Sequence, residues 1–221
     1  MFMRSVYMPT IEDVYNCLHM GIYAIKPKFQ KKLRPLENLF VRYKIHPTIV
    51  NLLGLLMACI GAIGILLSPK HPWTLIITAI AVNARTACNA LDGLVARRLG
   101  VASQFGEVLN ELIDRFNDTI LFLAVYALTI TNNTLALFTI IVILLNSFLS
   151  ITSKAAGGSR QYGGIVGKAD RMIYMSVAAI LIAVTGKQFI WNYFLWFILV
   201  TTIVTFCQRF AATKHELSNA K

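Results

Sequence analysis

From His46 onward the chain carries six apolar stretches near bilayer-spanning length, at about 48–68, 72–95, 105–129, 134–153, 170–186 and 189–208. A span needs about 20 apolar residues at 1.5 Å of rise each. Within lipid a segment must satisfy its own backbone hydrogen bonds, so such stretches fold as helices. Their connectors are short, marked by SPKHP, RRLGVASQ, TNN, the glycine-rich KAAGGSRQYGGIVGKAD, and TGK. The expected fold class is all-α integral membrane: six transmembrane helices preceded by an N-terminal amphipathic juxtamembrane region. By this division residues 1–47 form a cytoplasmic, interfacial amphipathic segment. Residues 48–210 form the six-helix transmembrane domain, and 211–221 a cytoplasmic tail.

Composition closes off the alternatives. The chain is 57% hydrophobic and 14% charged, where soluble domains are about 45–50% apolar and about 25% charged. A disordered chain would err the other way. The cysteines Cys17, Cys59, Cys88 and Cys207 show no paired spacing, which argues against a zinc site or a disulfide framework. The opening MFMRSVYMPTIEDVYN lacks the apolar core of a secretory signal, so no cleavage is expected. Thr10 with Asp13 resembles a capping box opening a short amphipathic helix, and Pro35 suits the start of a second. Between them KPKFQKKLRP sets five basic residues around Phe29 and Leu33. It reads equally as a segment lying on an anionic leaflet and as a plain orientation signal.

Orientation follows from the basic residues. With the N-terminus inside, the cytoplasmic segments hold 17 Lys and Arg and the outer connectors only Lys70 and Lys187. The positive-inside rule therefore places both termini on the cytoplasmic side of the inner membrane. A net charge of +11 on an apolar chain points to anionic membrane lipids or phosphate-bearing substrates, with no nucleic acid among the partners. Gly54, Ala58 and Ala62 at four-residue spacing read as close helix packing. Trp191, Tyr193 and Trp196 read as interfacial anchors.

Polar residues inside the second and third stretches are the informative feature. A charge at the bilayer centre costs about 2.5–3.5 kcal/mol on insertion scales, so such groups face a cavity or one another. At 100° per residue, Arg85, Asn89, Asp92 and Ala96 fall within an arc of about 60°. Glu107, Asn110, Glu111, Asp114 and Asp118 fall within about 100°. Carboxylates gathered this way repel unless a cation sits among them, and oxygen ligands suit Mg²⁺ or Mn²⁺. A hard divalent ion beside a basic surface suits diphosphate chemistry. The competing reading is an interhelical ion-pair network of Asp92, Asp114 and Asp118 with Arg85 and Arg115.

The stretch from Asn89 to Asp114 resembles the signature of the CDP-alcohol phosphatidyltransferase family, D-x-x-D-G-x-x-A-R-x8-G-x-x-x-D-x-x-x-D. Asn89, Asp92, Gly93, Ala96, Arg97, Gly106, Asn110 and Asp114 stand at its eight fixed positions, and six of the eight match over 26 residues. The resemblance implies transfer of a phosphatidyl group from a CDP-linked lipid, usually CDP-diacylglycerol, to an alcohol, with release of CMP, in phospholipid biosynthesis. It implies a metal site of Mg²⁺ or Mn²⁺ held by Asp92, Asp114, Asn89 and Asn110, with Asp114 the base that takes the acceptor's proton. It implies a nucleotide site from Gly93, Ala96, Arg97 and Gly106, extended to Thr48 and Asn51 at the start of the first span, and a homodimer. A carboxylate is a weak base toward an alcohol, so metal polarisation of the diphosphate has to carry much of the barrier.

Asparagine replaces the family's first and third aspartates, at Asn89 and Asn110. Four motif carboxylates supply four negative charges to a binuclear site, whereas this set supplies two. Either Glu107, Glu111 or Asp118 makes up the difference, or one metal binds, or turnover is lost. The basic, glycine-rich segment after the fourth stretch holds Arg160 and Lys168, suited to a phosphate on the acceptor, such as a phosphorylated polyol. The same residues equally serve as the orientation signal. A non-catalytic lipid- or nucleotide-binding relative of the same fold is the alternative function. A small-solute transporter would explain six helices with buried charge and offers no reason for the motif spacing.

Overall fold

The computed structural model describes residues 26–219. The capping box at Thr10 lies outside them. Among the described residues the chain is helical throughout, with no strand. Its helices are α1 (Lys26–Arg42), α2 (Pro47–Leu67), α3 (Thr74–Arg98), α4 (Gln104–Tyr126), α5 (Asn133–Ala155), α6 (Lys168–Thr185) and α7 (Ile190–Asn219). Four of these, α2, α3, α5 and α7, are long and apolar enough to cross a membrane. The protein is an all-α, multi-pass membrane protein.

Local chemistry sets most of the boundaries. The His46 side chain accepts from the Thr48 N–H at 3.3 Å, and Pro47 takes the first turn of α2, where its missing N–H has no partner to lose. Ser103 caps α4 through the Gly106 N–H at 3.0 Å, and Asn132 caps α5 through Leu135 N–H at 3.0 Å. Gly186 ends α6 at φ +69°, a left-handed turn that costs glycine little. Pro35 departs from expectation: it lies inside α1 instead of opening a helix. It is exposed, and a proline inside a helix forgoes one i→i−4 backbone hydrogen bond. The charged end of α3 meanwhile holds α1 in place, with Arg98 Nη1 on Asn38 Oδ1 at 2.6 Å and on the buried Glu37 at 3.3 Å.

The core runs down the bundle axis through Leu75, Val82, Leu121, Phe122, Met172, Met175, Ile182, Trp191 and Leu195. Phe122 stacks on Phe194 with ring centres 5.8 Å apart. Ile80, Phe138, Phe148 and Val184 point outward, the arrangement of helices whose solvent is lipid. α2 packs closely on α3 because glycines stand at the contact. A Cβ at Gly61 would sit 3.4 Å from Val82, and one at Gly54 would sit 3.3 Å from Cys88.

Candidate active site

α3 and α4 run antiparallel across a short connector, which sets their two polar stripes face to face near one end of the bundle. Asp114 of α4 lies at the centre, 1% exposed. Its Oδ1 accepts from Asn89 Nδ2 of α3 at 2.6 Å and from Arg85 Nη2 at 3.4 Å, and its Oδ2 accepts from Lys168 Nζ of α6. The Asn89 amide nitrogen also reaches Asn110 Oδ1 at 3.5 Å. Asp92 stands one turn beyond Asn89 on the same helix, 4% exposed. Its Oδ1 accepts from the Gly93 N–H at 2.5 Å, while its buried Oδ2 has no hydrogen-bond partner.

The polar stripe continues inward as an ion-pair cluster. Asp118 accepts from Arg85 Nη2 at 2.9 Å and from Arg171 Nη2 at 2.8 Å, with all three side chains nearly fully buried. The ion-pair reading is thus right for Asp114 and Asp118 with Arg85. It does not hold for Asp92, nor for Arg115, which lies 3.1 Å from Glu111 and donates to Ser147. By sequence Arg171 is one of the 17 Lys and Arg on the cytoplasmic side. Its spacing from Lys168 on α6, set against the spacing of Asp114 from Asp118 on α4, is the signal that pairs them: i,i+3 facing i,i+4.

None of the three acids named as substitute ligands is open. Asp118 is held by two arginines, Glu111 by Arg115 and Arg160, and Glu107 by Lys154 at 2.6 Å. Among the described residues no three acidic, histidine or cysteine side chains gather as a metal site. What the motif offers instead is two carboxylates and two amide oxygens, all hard ligands, with the partnerless Asp92 Oδ2 among them. That donor set fits a divalent cation.

The other motif residues surround this centre. Arg97 turns back over Gly93, so that a Cβ there would lie 3.4 Å from its Nη1. Ala96 is half-buried one turn beyond Asp92. Gly106 has a structural duty as well: its N–H receives the Ser103 cap, and a Cβ would lie 3.1 Å from that hydroxyl. Thr48 Oγ1 pairs with His46 Nδ1 at 3.0 Å within the helix cap. Asn51 is buried, and the α2–α3 register read from Gly61 beside Ala81 and Gly54 beside Cys88 sets it level with Leu91, next to Asp92.

The basic segment 156–167 folds over the same end. Arg160 donates to Glu111, and its guanidinium lies 4.9 Å from the Tyr162 ring centre. The far end of α7, which continues through to Asn219, straps this segment down. Glu216 accepts from Ser159 N and Oγ at 2.6 and 2.8 Å and from Gln161 Nε2 at 2.8 Å. Arg209 Nε donates to the Gly163 carbonyl at 2.8 Å. Gly164, at φ +116°, packs so closely on Thr205 that no side chain fits there.

A profile of the family described as CDP-alcohol phosphatidyltransferase matches residues 44–204, which include every motif position. The chain belongs to that family. It is a membrane-bound transferase of phospholipid biosynthesis that uses a CDP-linked donor. Inner membrane protein YnbA of Escherichia coli is 31% identical over 179 residues, covering 80% of this chain and 88% of that one. Phosphatidylinositol phosphate synthase of Mycolicibacterium smegmatis is 28% identical, covering 84% and 85%. The fold matches the crystal structure of Mycobacterium tuberculosis phosphatidylinositol phosphate synthase with CDP-DAG bound. The TM-score is 0.67 at 23% identity, over 81% of this chain and 92% of that one. The same mycobacterial enzyme in complex with manganese and citrate matches with a TM-score of 0.68 at 22% identity, over 81% and 87%.

Proposed function

We propose that this phosphatidyltransferase moves the phosphatidyl group of CDP-diacylglycerol to a phosphorylated polyol at the cytoplasmic face of the inner membrane, releasing CMP. The observation that carries the reading is Asp114, buried where α3, α4 and α6 converge, with Asn89, Arg85 and Lys168 all directed at its carboxylate. The acceptor hydroxyl oxygen bonds to the lipid-side phosphorus, and the bond from that phosphorus to the CMP oxygen breaks. Asp114 takes the hydroxyl proton. Lys168 holds the Asp114 carboxylate in place and, with Arg160, offers positive charge to a phosphate on the acceptor. The relatives named phosphatidylinositol phosphate synthase support inositol phosphate as that acceptor. Gly93, Ala96, Arg97 and Gly106 frame the nucleotide, and Asn51 and Thr48 border it from α2. Mg²⁺ or Mn²⁺, held by Asp92 and Asp114 with the amide oxygens of Asn89 and Asn110, would neutralise charge on the diphosphate.

All six helices from α2 to α7 span the membrane in this reading, with both termini inside, as the excess of Lys and Arg on one side supports. The catalytic domain is then 48–210, preceded by the interfacial segment 1–47 and followed by the tail 211–221. A homodimer belongs to the same reading on the family resemblance alone, since Gly54, Ala58 and Ala62 are buried within the chain's own bundle.

The test is CMP release from CDP-diacylglycerol by purified protein in lipid nanodiscs, with Mg²⁺, Mn²⁺ or chelator, across a panel of acceptor alcohols. Metal-dependent release with a phosphorylated polyol supports the reading. Release only with an unphosphorylated alcohol, or none with any acceptor, overturns it.

A further inference from the structure

We infer that this active site is built for a single divalent cation, because two asparagines and the resident cations Lys168, Arg85 and Arg171 remove the need for a second. The inference rests on the reading above and narrows it. The Asn89 amide donates to Asp114 Oδ1 at 2.6 Å. A carboxylate in that place would face another at contact distance and would need a cation between them. The amide closes the gap by itself. Asn110 takes part in the same contact, accepting from Asn89 at 3.5 Å, so the two exchanged residues meet across the α3–α4 interface.

Charge balance leads to the same count. The acids Asp92, Asp114 and Asp118 are equalled in number by Arg85, Lys168 and Arg171, which contact Asp114 and Asp118, while the neighbouring buried acid Asp170 caps α6 through the Gly167 N–H at 2.6 Å. Those six facing groups are neutral without any ion. One divalent cation leaves two positive charges, equal and opposite to the two negative charges of a diphosphate diester. Two cations would leave four, a surplus that a low-dielectric site does not tolerate. With aspartates at 89 and 110 the balance shifts by two negative charges, and two cations would then restore the same value. Among the described residues the other acids at this end, Glu107 and Glu111, are already paired with Lys154, Arg115 and Arg160. The open ligand for the one ion is Asp92 Oδ2, buried and without a partner.

The test counts Mn²⁺ on the full-length chain in nanodiscs at saturating metal, by elemental analysis after equilibrium dialysis and by electron paramagnetic resonance, with and without CDP-diacylglycerol. The expected result is one Mn²⁺ per chain with the six-line spectrum of an isolated ion, lost in Asp92→Asn. The double substitution Asn89→Asp with Asn110→Asp should raise the count to two and give an exchange-coupled spectrum. Two ions per wild-type chain, no bound ion, or a double variant that folds and still holds one, overturns the inference. The count needs no turnover, so it separates from the assigned reaction. One ion without CMP release leaves this inference standing and removes that reading, whereas two ions with CMP release does the reverse.

Discussion

At the residue scale, Asp114 and Asp118 are one helical turn apart and have different work. Asp114 touches the polar face where substrate is expected and Lys168 stands on it, whereas Asp118 is sealed between Arg85 and Arg171. Asp114→Ala should lower CMP release by at least 10³-fold with the protein still folded, the scale of a lost proton acceptor together with a lost ligand. Its near-wild-type turnover would remove Asp114 from the mechanism. Arg171→Met should act on stability, because it leaves half of the Asp118 charge unmatched in a dry site. Breaking a buried pair from one side costs about 3–5 kcal/mol. A fall in the thermal midpoint in detergent checks this, and an unchanged midpoint would mean that water reaches Asp118. The motif made Asp92 and Asp114 legible from sequence, and helical spacing made Arg85 legible. The matched spacings of Lys168 with Arg171 and of Asp114 with Asp118 carried the Arg171 pairing, and Glu111 with Arg115 is an i,i+4 pair within α4. The bond from Arg115 to Ser147 was not legible, since it depends on how α5 is rotated against α4, and no spacing within one helix encodes that rotation.

At the scale of elements, α7 does two jobs along its length. Its apolar half packs Trp191, Phe194 and Leu195 into the core, and its far end holds the 156–167 segment through Glu216 and Arg209. From sequence the last eleven residues read as a tail, because HELSN has no apolar stripe to announce a docked helix. Their partner is the backbone and side chains of a loop, a contact that hydropathy does not register. The strap has a consequence for Arg160, which sits on the next residue after Ser159. Glu216→Ala removes charge-assisted hydrogen bonds worth about 1.5–3 kcal/mol before solvent screening reduces them. The expected outcome is a rise in KM for the acceptor of roughly 10-fold, with kcat and the KM for the CDP-linked donor little changed. An equal effect on both substrates would show that Glu216 supports the bundle at large and not the loop. Gln at the same position should recover part of the loss, since its amide oxygen still accepts from Ser159.

At the scale of the whole molecule, the number of crossings decides which residues can meet. Among the described residues only α2, α3, α5 and α7 are apolar enough to count as spans by themselves. α4 and α6 are less apolar because they carry Asp114, Asp118, Lys168 and Arg171, and these charges pair across the two helices: Asp114 with Lys168, Asp118 with Arg171. At 1.5 Å per residue their 23 and 18 residues extend about 34 and 27 Å, near the thickness of the hydrocarbon core. A four-span arrangement would carry the 127–132 connector to the inside and the 156–167 segment to the outside. The start of α6 would then be on the opposite face from the motif end of α4, and Lys168 could not reach Asp114. Six crossings keep them together. The check is impermeant maleimide labelling of intact, right-side-out cells, in a background lacking the native cysteines. Two exposed connector positions serve, Thr129→Cys and Ala156→Cys. Six spans with both ends inside expect Cys at 129 to label directly and Cys at 156 to label only after the membrane is opened. The opposite pattern would mean that α4 and α6 do not cross, and would separate the basic loop from the motif it is expected to serve.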